Sequence, residues 1–596
     1  MVIKAEKNYK FHVFLFLLLS IEFFILNPVE FVPKILAVSV CLGVFLNMPK
    51  IIFNFKKWYE VAAFFMSTIF LTSSFFGYDL FLKNTMLKGR FLNFSSGIEW
   101  KCFVLIYFSL GLVWASYVLQ SSLNLFSFLN CKIKFLQNQK YWQKWLIFFS
   151  VMFALFMIWK SAYIVTLTRD SWAYLNGWIE NKYDLAYSPV YTFLVTLVCK
   201  CAPTKPEVAW VCVIQALGFS ALFSTIIAYL WEKGLKFEYA LTASIILPLV
   251  PSIGLHTLTI WSDPLCGLSM LWFTYVFVRI LDEVLLSLHA SKLQKISFAI
   301  QLFISLILIY FVRSNTFLVA MIMSLVLCVL FLLYKKPKWL IPIVFSAFAV
   351  LIIRFPGFKM LQIENSPLRD HHRYFASIHD IQSTYYSGGK FSNHTLEVLK
   401  RSIPKLEDSE VKNNFIPDSV VYSKVYDLSE LTFKEFVSIY TDSFIKNPFK
   451  ILKSMFYRCR AYWVLARKNS IDFVNYTGIY HRKKGRVVDE IPELSIYRKN
   501  TILKNIVDKY IPITNSEILA IFVWRYSFWM LLIVISALWI IFQKKFIWLL
   551  VYLPLAVYVL TLFLTMGWTD YRYGLPVIFI GIFLPINFIF TKKEVT

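Results

Sequence analysis

Apolar runs of about fifteen to twenty-five residues recur along nearly the whole chain, the length a helix needs to cross roughly 30 Å of hydrocarbon. About fourteen can be placed, near residues 11-26, 31-48, 59-78, 102-122, 145-165, 208-231, 239-255, 264-281, 296-312, 316-334, 339-353, 517-542, 546-564 and 573-590. In lipid each such segment must satisfy its own backbone hydrogen bonds, so the expected fold is an all-α polytopic membrane protein of about 14 transmembrane helices. With 58% hydrophobic and 19% aromatic residues among 596, the chain holds more apolar surface than one or two soluble cores could bury. The first run, Phe11 to Leu26, resembles a signal peptide in length, but no small-residue cleavage site follows, and it reads as a helix.

The net charge of +26 would suggest nucleic acid if it formed one patch. Instead the basic residues fall in short clusters between spans: Lys4/Lys7/Lys10, Lys50/Lys56/Lys57, Lys132/Lys134/Lys140/Lys144, Lys233/Lys236, Lys292/Lys295, Lys335/Lys336/Lys338, Lys544/Lys545 and Lys592/Lys593. All of these fall on one side of a fourteen-span register, which by the positive-inside rule is the cytoplasmic side and carries both termini. Only the loop with Lys83, Lys88, Arg90 and Lys101 is discordant. The expected organisation is an N-terminal four-helix extension over 1-144, a core over 145-353, an extracytoplasmic domain over 354-516 and C-terminal helices over 517-596. The 354-516 domain reads as mixed and mostly helical, with an amphipathic stretch at Leu431 to Tyr440 and a turn at Tyr386-Ser387-Gly388-Gly389.

Four polar segments converge on the outer face in this register: Thr166 to Glu207, His256 to Asp263, Arg354 to Ser516 and Gly567 to Arg572. Within the first, Val190 to Val198 is too short to cross and reads as an interfacial helix. The nine cysteines are scattered, mostly within spans, and support neither a disulfide framework nor a thiolate metal site. The chain lacks a Walker loop, a HExxH helix and a GxSxG elbow, so ATP-driven transport, zinc proteolysis and lipase-type catalysis have no motif.

Candidate functional residues stand at the outer mouths of the spans. Asp170 directly follows a span and precedes an aromatic stretch of Trp172, Tyr174, Trp178, Tyr183 and Tyr187, suited to an interface or to stacking on a sugar. Its structural alternative is pairing with Arg169 or capping the helix that starts at Ser171. Asp263, followed by Pro264, has the form of an N-cap and could also hold a substrate hydroxyl or a metal. Arg313, in a very short turn, either snorkels or offers its planar fork to a phosphate. Trp568-Thr569-Asp570-Tyr571-Arg572-Tyr573 combines base and aromatics in the last outer turn, as a lipid-phosphate and sugar site or as an interface anchor.

Taken in order, Asp170, Tyr187-Ser188-Pro189-Val190-Tyr191-Thr192, Trp261-Ser262-Asp263, Arg313-Ser314-Asn315 and Tyr571-Arg572-Tyr573-Gly574-Leu575-Pro576 resemble the C-type (GT-C) superfamily of membrane glycosyltransferases. The likeness is to a bacterial, mannosyltransferase-like group of polytopic proteins. It covers roughly Trp145 to Phe590, with Tyr-Ser-Pro in place of the usual His-Pro and Ser262-Asp263 in place of Lys-Asp. The resemblance implies an inverting hexosyl transfer from a polyprenyl-phosphate donor to a glycan, lipid or protein acceptor on the extracytoplasmic face of the cell membrane. It implies Asp170 as catalytic base, with Asp263, Arg313, Arg572, Tyr571 and Tyr187 binding substrate. It leaves open a divalent cation, Mg2+ or Mn2+, at Asp170 and Asp263. Membrane lipid is an expected partner and nucleic acid is not. A transporter or flippase of lipid-linked saccharides, or a polymerase of them, is the alternative, although few buried charges lie within the spans beyond Glu22 and Lys160.

Overall fold

The structure, a computed structural model, describes residues 141–590 except 164, 166–168, 185–186, 205–206, 287–290, 314, 364–366, 405, 408–426, 429–430, 460–461, 463–500, 515–521 and 566–570. The expected spans at 11-26, 31-48, 59-78 and 102-122 lie outside the described residues. Every regular element that is described is helical. In chain order these are α1 (Tyr141–Ala162), α2 (Arg169–Ile179), α3 (Pro189–Lys200), α4 (Val208–Glu232), α5 (Phe237–Leu249), α6 (Pro251–Thr257), α7 (Ser262–Leu286), α8 (Lys292–Val312) and α9 (Phe317–Leu333). They continue with α10 (Pro337–Met360), α11 (Pro367–Tyr386), α12 (Asn393–Ser402), α13 (Phe433–Lys446), α14 (Pro448–Arg458), α15 (Thr501–Thr514), α16 (Tyr526–Phe542), α17 (Phe546–Thr565) and α18 (Arg572–Ile589).

Among the described residues seven helices, α1, α4, α7, α8, α10, α17 and α18, are long and apolar enough to cross a bilayer, and the bent pair α5–α6 makes up to eight. The chain is therefore a membrane protein in its described part. Of the fourteen expected spans ten fall on the described residues, and two of these, α9 and α16, are shorter apolar helices of 17 residues. Helix α3, expected to lie in the interface, has 12 residues.

Burial sorts the spans. Helix α7 is the central span, with 78% of its apolar stretch buried, and it packs on α4, α8, α17 and α18. Helix α10, at 17%, lies at the rim. The expected span at 239-255 breaks by 62° between α5 and α6, where Pro251 can neither donate a helical hydrogen bond nor fit against the preceding turn. At the break Trp159 Nε1 donates to the Pro248 carbonyl at 2.7 Å. Gly254 makes that approach possible, since a Cβ there would sit 2.4 Å from the same nitrogen.

Arg354 marks a boundary that the structure moves. The helix expected to end at 353 runs on through a π turn to Met360, and Arg354 within it donates to the Tyr310 hydroxyl at 3.5 Å. A long basic side chain on an apolar helix can reach a polar partner while its stem stays apolar.

Helices α11 to α14 gather round a second core of Ile378, Ile381, Leu399, Ile439 and Ile451. A Thr432–Glu435 capping box starts α13, at the amphipathic stretch read from sequence, and α11 ends at the expected Tyr386 turn. This bundle docks on α17 through a fully buried ion pair. Arg458 donates to Asp380 at 2.6 Å and to the Phe563 carbonyl at 2.8 Å, and Ser454 donates to the same carboxylate at 2.8 Å.

Candidate functional site

The start of α7, the end of α8 and the start of α18 meet at one end of the bundle. Helix α7 begins at Ser262, so Asp263 lies within its first turn rather than at the expected N-cap. Its carboxylate is 4% exposed and forms an ion pair with Arg313, which follows the last residue of α8. The guanidinium of Arg313 also lies 4.5 Å from the centre of the Tyr573 ring. Arg572 approaches the same ring at 5.2 Å and the Trp261 ring at 5.2 Å, and it donates to the Tyr573 hydroxyl at 3.4 Å. Two guanidinium groups from distant parts of the chain thus converge on one tyrosine. An aromatic face attracts cations and so can hold both groups in place.

The ring is itself fixed through its backbone. Tyr462 and Tyr558 both donate to the Tyr573 carbonyl, each at 3.0 Å. Tyr462 belongs to the segment that follows α14, so the α11–α14 bundle reaches the site directly. Gly574 is obligatory beside it, because a Cβ there would fall 2.2 Å from the Tyr526 ring.

A third side is built by α2 and α3, which pack on each other. Gly177 allows the contact, since a Cβ would meet the Thr192 methyl at 2.3 Å. Tyr174 shares a 2.9 Å hydrogen bond with Ser262, the residue before Asp263. The Tyr187 and Tyr191 rings stand edge-on to Tyr174 at 5.8 and 4.8 Å. Ser188 caps α3 by accepting from Tyr191 N, and its hydroxyl donates to the Phe311 carbonyl at 2.9 Å, two residues before Arg313. With Pro189 at the first helical position, the Tyr-Ser-Pro segment is a helix start that tethers α3 to the end of α8. Tyr191 donates to Gln215 at 2.9 Å, and Gln215 donates to the Thr257 and Thr259 carbonyls, which holds the connection leading into α7.

The expected site residues therefore divide. Asp263, Arg313 and Arg572 come together, and Tyr187 is linked to them through Tyr174 and Ser262. Asp170 lies in the first turn of α2, the helix that carries Tyr174, and Tyr571 in the turn that opens α18. The side chains of Asp170 and Tyr571 lie outside the described residues, as do Trp568, Thr569 and Asp570. Arg313 pairs with one oxygen of the Asp263 carboxylate. Among the described residues no group of three or more His, Cys, Asp or Glu could hold a metal.

Sequence reasoning missed Tyr462, Tyr558 and Gln215. Each acts through a main-chain carbonyl remote in sequence, for which no local pattern exists. No family model, no curated protein and no solved structure matches the chain.

Proposed function

We propose that the protein is a membrane glycosyltransferase of the C type, moving one sugar from a polyprenyl-phosphate donor to an acceptor hydroxyl at the extracytoplasmic face. The observation that carries this reading is the convergence of Arg313 and Arg572 on Tyr573 at the mouth of the bundle. A lipid-linked donor enters sideways from the bilayer, and its phosphate has to be met where helices end. Guanidinium forks suit that phosphate better than ammonium groups do.

In this mechanism the acceptor oxygen attacks the anomeric carbon with inversion while the bond from that carbon to the phosphate oxygen breaks. Asp170 takes the acceptor proton. Negative charge grows on the departing polyprenyl phosphate, and Arg313 and Arg572 stabilise it. Asp263, ion-paired with Arg313, acts as a positioning residue that aims one of the two forks. Tyr187 supplies an aromatic face for the sugar, held in place by its edge-on packing with the buried Tyr174.

Asp170→Asn tests the assignment. It should abolish sugar transfer, measured by mass spectrometry of products from polyprenyl-phosphate sugars and cell-envelope extract, while membrane insertion is unchanged. Near-normal transfer in that variant removes Asp170 from the mechanism. Movement of a labelled lipid-linked sugar across liposomes with its chemistry intact would instead favour a flippase.

A further inference from the structure

Helices α13 and α14 carry two apolar faces where a soluble hairpin needs one. One face, with Ile439, Ser443, Ile451 and Met455, is buried in the core of the α11–α14 bundle. The other is open. Phe433, Val437 and Ile445 on α13 recur at multiples of four residues, and Phe449, Leu452 and Phe456 continue the stripe on α14 at steps of three and four. Ile445 is 72% and Phe449 84% exposed. Side chains at that spacing share one broad face of a helix, away from the buried one.

Two observations say what covers the stripe. It runs into the membrane-crossing part of the molecule: Phe456 packs edge-on against Phe563 of α17 at 5.4 Å, and Leu560 and Leu564 on that span are themselves exposed. The charges beside it are also of one effective sign. Glu435 is paired with Arg401 and Asp442 with Lys446, while Lys434, Lys450 and Lys453 add positive charge to the same two helices. An apolar stripe bordered by lysines and continuous with a span is the pattern of a helix lying in the headgroup region of an anionic bilayer.

We infer that α13 and α14 form an interfacial hairpin, with the stripe from Phe433 to Phe456 seated at the boundary of lipid headgroups and acyl chains. The hairpin thereby holds the α11–α14 bundle at the bilayer surface. This rests on the apolar and charged faces alone and is independent of the glycosyltransferase reading.

The test uses the full chain in nanodiscs of phosphatidylcholine and phosphatidylglycerol. An environment-sensitive fluorophore is attached in turn at Phe449→Cys, Ile445→Cys, Leu564→Cys and Lys400→Cys, and the signal of the identically treated parent chain is subtracted. Lipids carrying a quencher near the top of the acyl chain should quench the labels at 449 and 445 about as strongly as the label at 564, and leave the label at 400 unquenched. Water-like emission without quenching at 449 and 445 overturns the inference. So does blue-shifted emission without lipid quenching, which would mean that protein covers the stripe.

Discussion

Helix α7 has a buried aspartate near each end, and the surroundings of the two are built on the same plan. Asp282 accepts from the Tyr229 hydroxyl at 2.7 Å and pairs with Lys233 at 2.9 Å. Lys233 and Arg279 flank the Tyr229 ring at 4.9 and 4.7 Å, much as Arg313 and Arg572 flank Tyr573. A buried carboxylate, two cations and a shared tyrosine therefore do not by themselves make a substrate site. The difference lies in where the parts come from. The Asp282 cluster is made by neighbours a few residues apart on α4 and α7, and its tyrosine closes back on the carboxylate. The Asp263 cluster is assembled from the starts or ends of α7, α8 and α18, with its tyrosine tethered by Tyr462 of the α11–α14 bundle. The first is a self-contained clasp between two helices, and the second is a junction whose shape depends on the whole fold.

The buried pair Asp380–Arg458 sets the upper end of the scale, since neither side chain is more than 1% exposed. Arg458→Met should leave Asp380 unpaired in an apolar seam and cost about 3–5 kcal/mol, read as the loss of thermal stability of the detergent-solubilised chain. A cost under about 1 kcal/mol would mean that water reaches the seam.

At the Asp263 junction the proposed role predicts an effect on rate. Arg313→Lys keeps the charge but loses the fork, and transfer should fall by roughly 10²–10³-fold, the usual consequence of removing one donor to a developing oxyanion. Asp282→Asn gives the opposite pattern. The amide still accepts from Tyr229 but no longer neutralises Lys233, so stability should fall by about 1–3 kcal/mol with transfer per folded molecule unchanged. If Asp282→Asn also stops transfer, the two ends of α7 are coupled and the contrast between clasp and junction fails.

The same contrast explains what could be read from sequence. Hydropathy located the described spans because lipid imposes one local rule, an apolar run of sufficient length. It missed local exceptions to that rule: the proline break after Val250 and Arg354 carried inside a helix. Asp263, Arg313 and Arg572 were recognisable as polar residues at span ends. Their mutual arrangement was not, because Asp263 and Arg313 lie on consecutive helices that bring them together only when packed, and Tyr462 is separated from Tyr573 by α15, α16 and α17. The Asp380–Arg458 pair left no trace in the sequence for the same reason.

The smallest effect should come from an ion pair open to water. Arg401 donates to Glu435 at 2.9 Å, and the two side chains are 47% and 29% exposed. The hydrogen bond from Arg401, followed by those from Thr432, draws the Glu435 carboxyl down to about 2. A carboxyl whose pKa is lower in the folded state stabilises that state above its unfolded pKa of about 4.3, and the contribution disappears as pH falls through the folded value. Glu435→Gln keeps a capping side chain on Thr432 but removes the charge. The variant should therefore melt slightly below the parent at pH 6, and the gap should close between about pH 4.3 and about 2. Raising salt at pH 6 should narrow it too, as screening of an exposed pair requires, whereas the deficit of Arg458→Met should be nearly indifferent to salt.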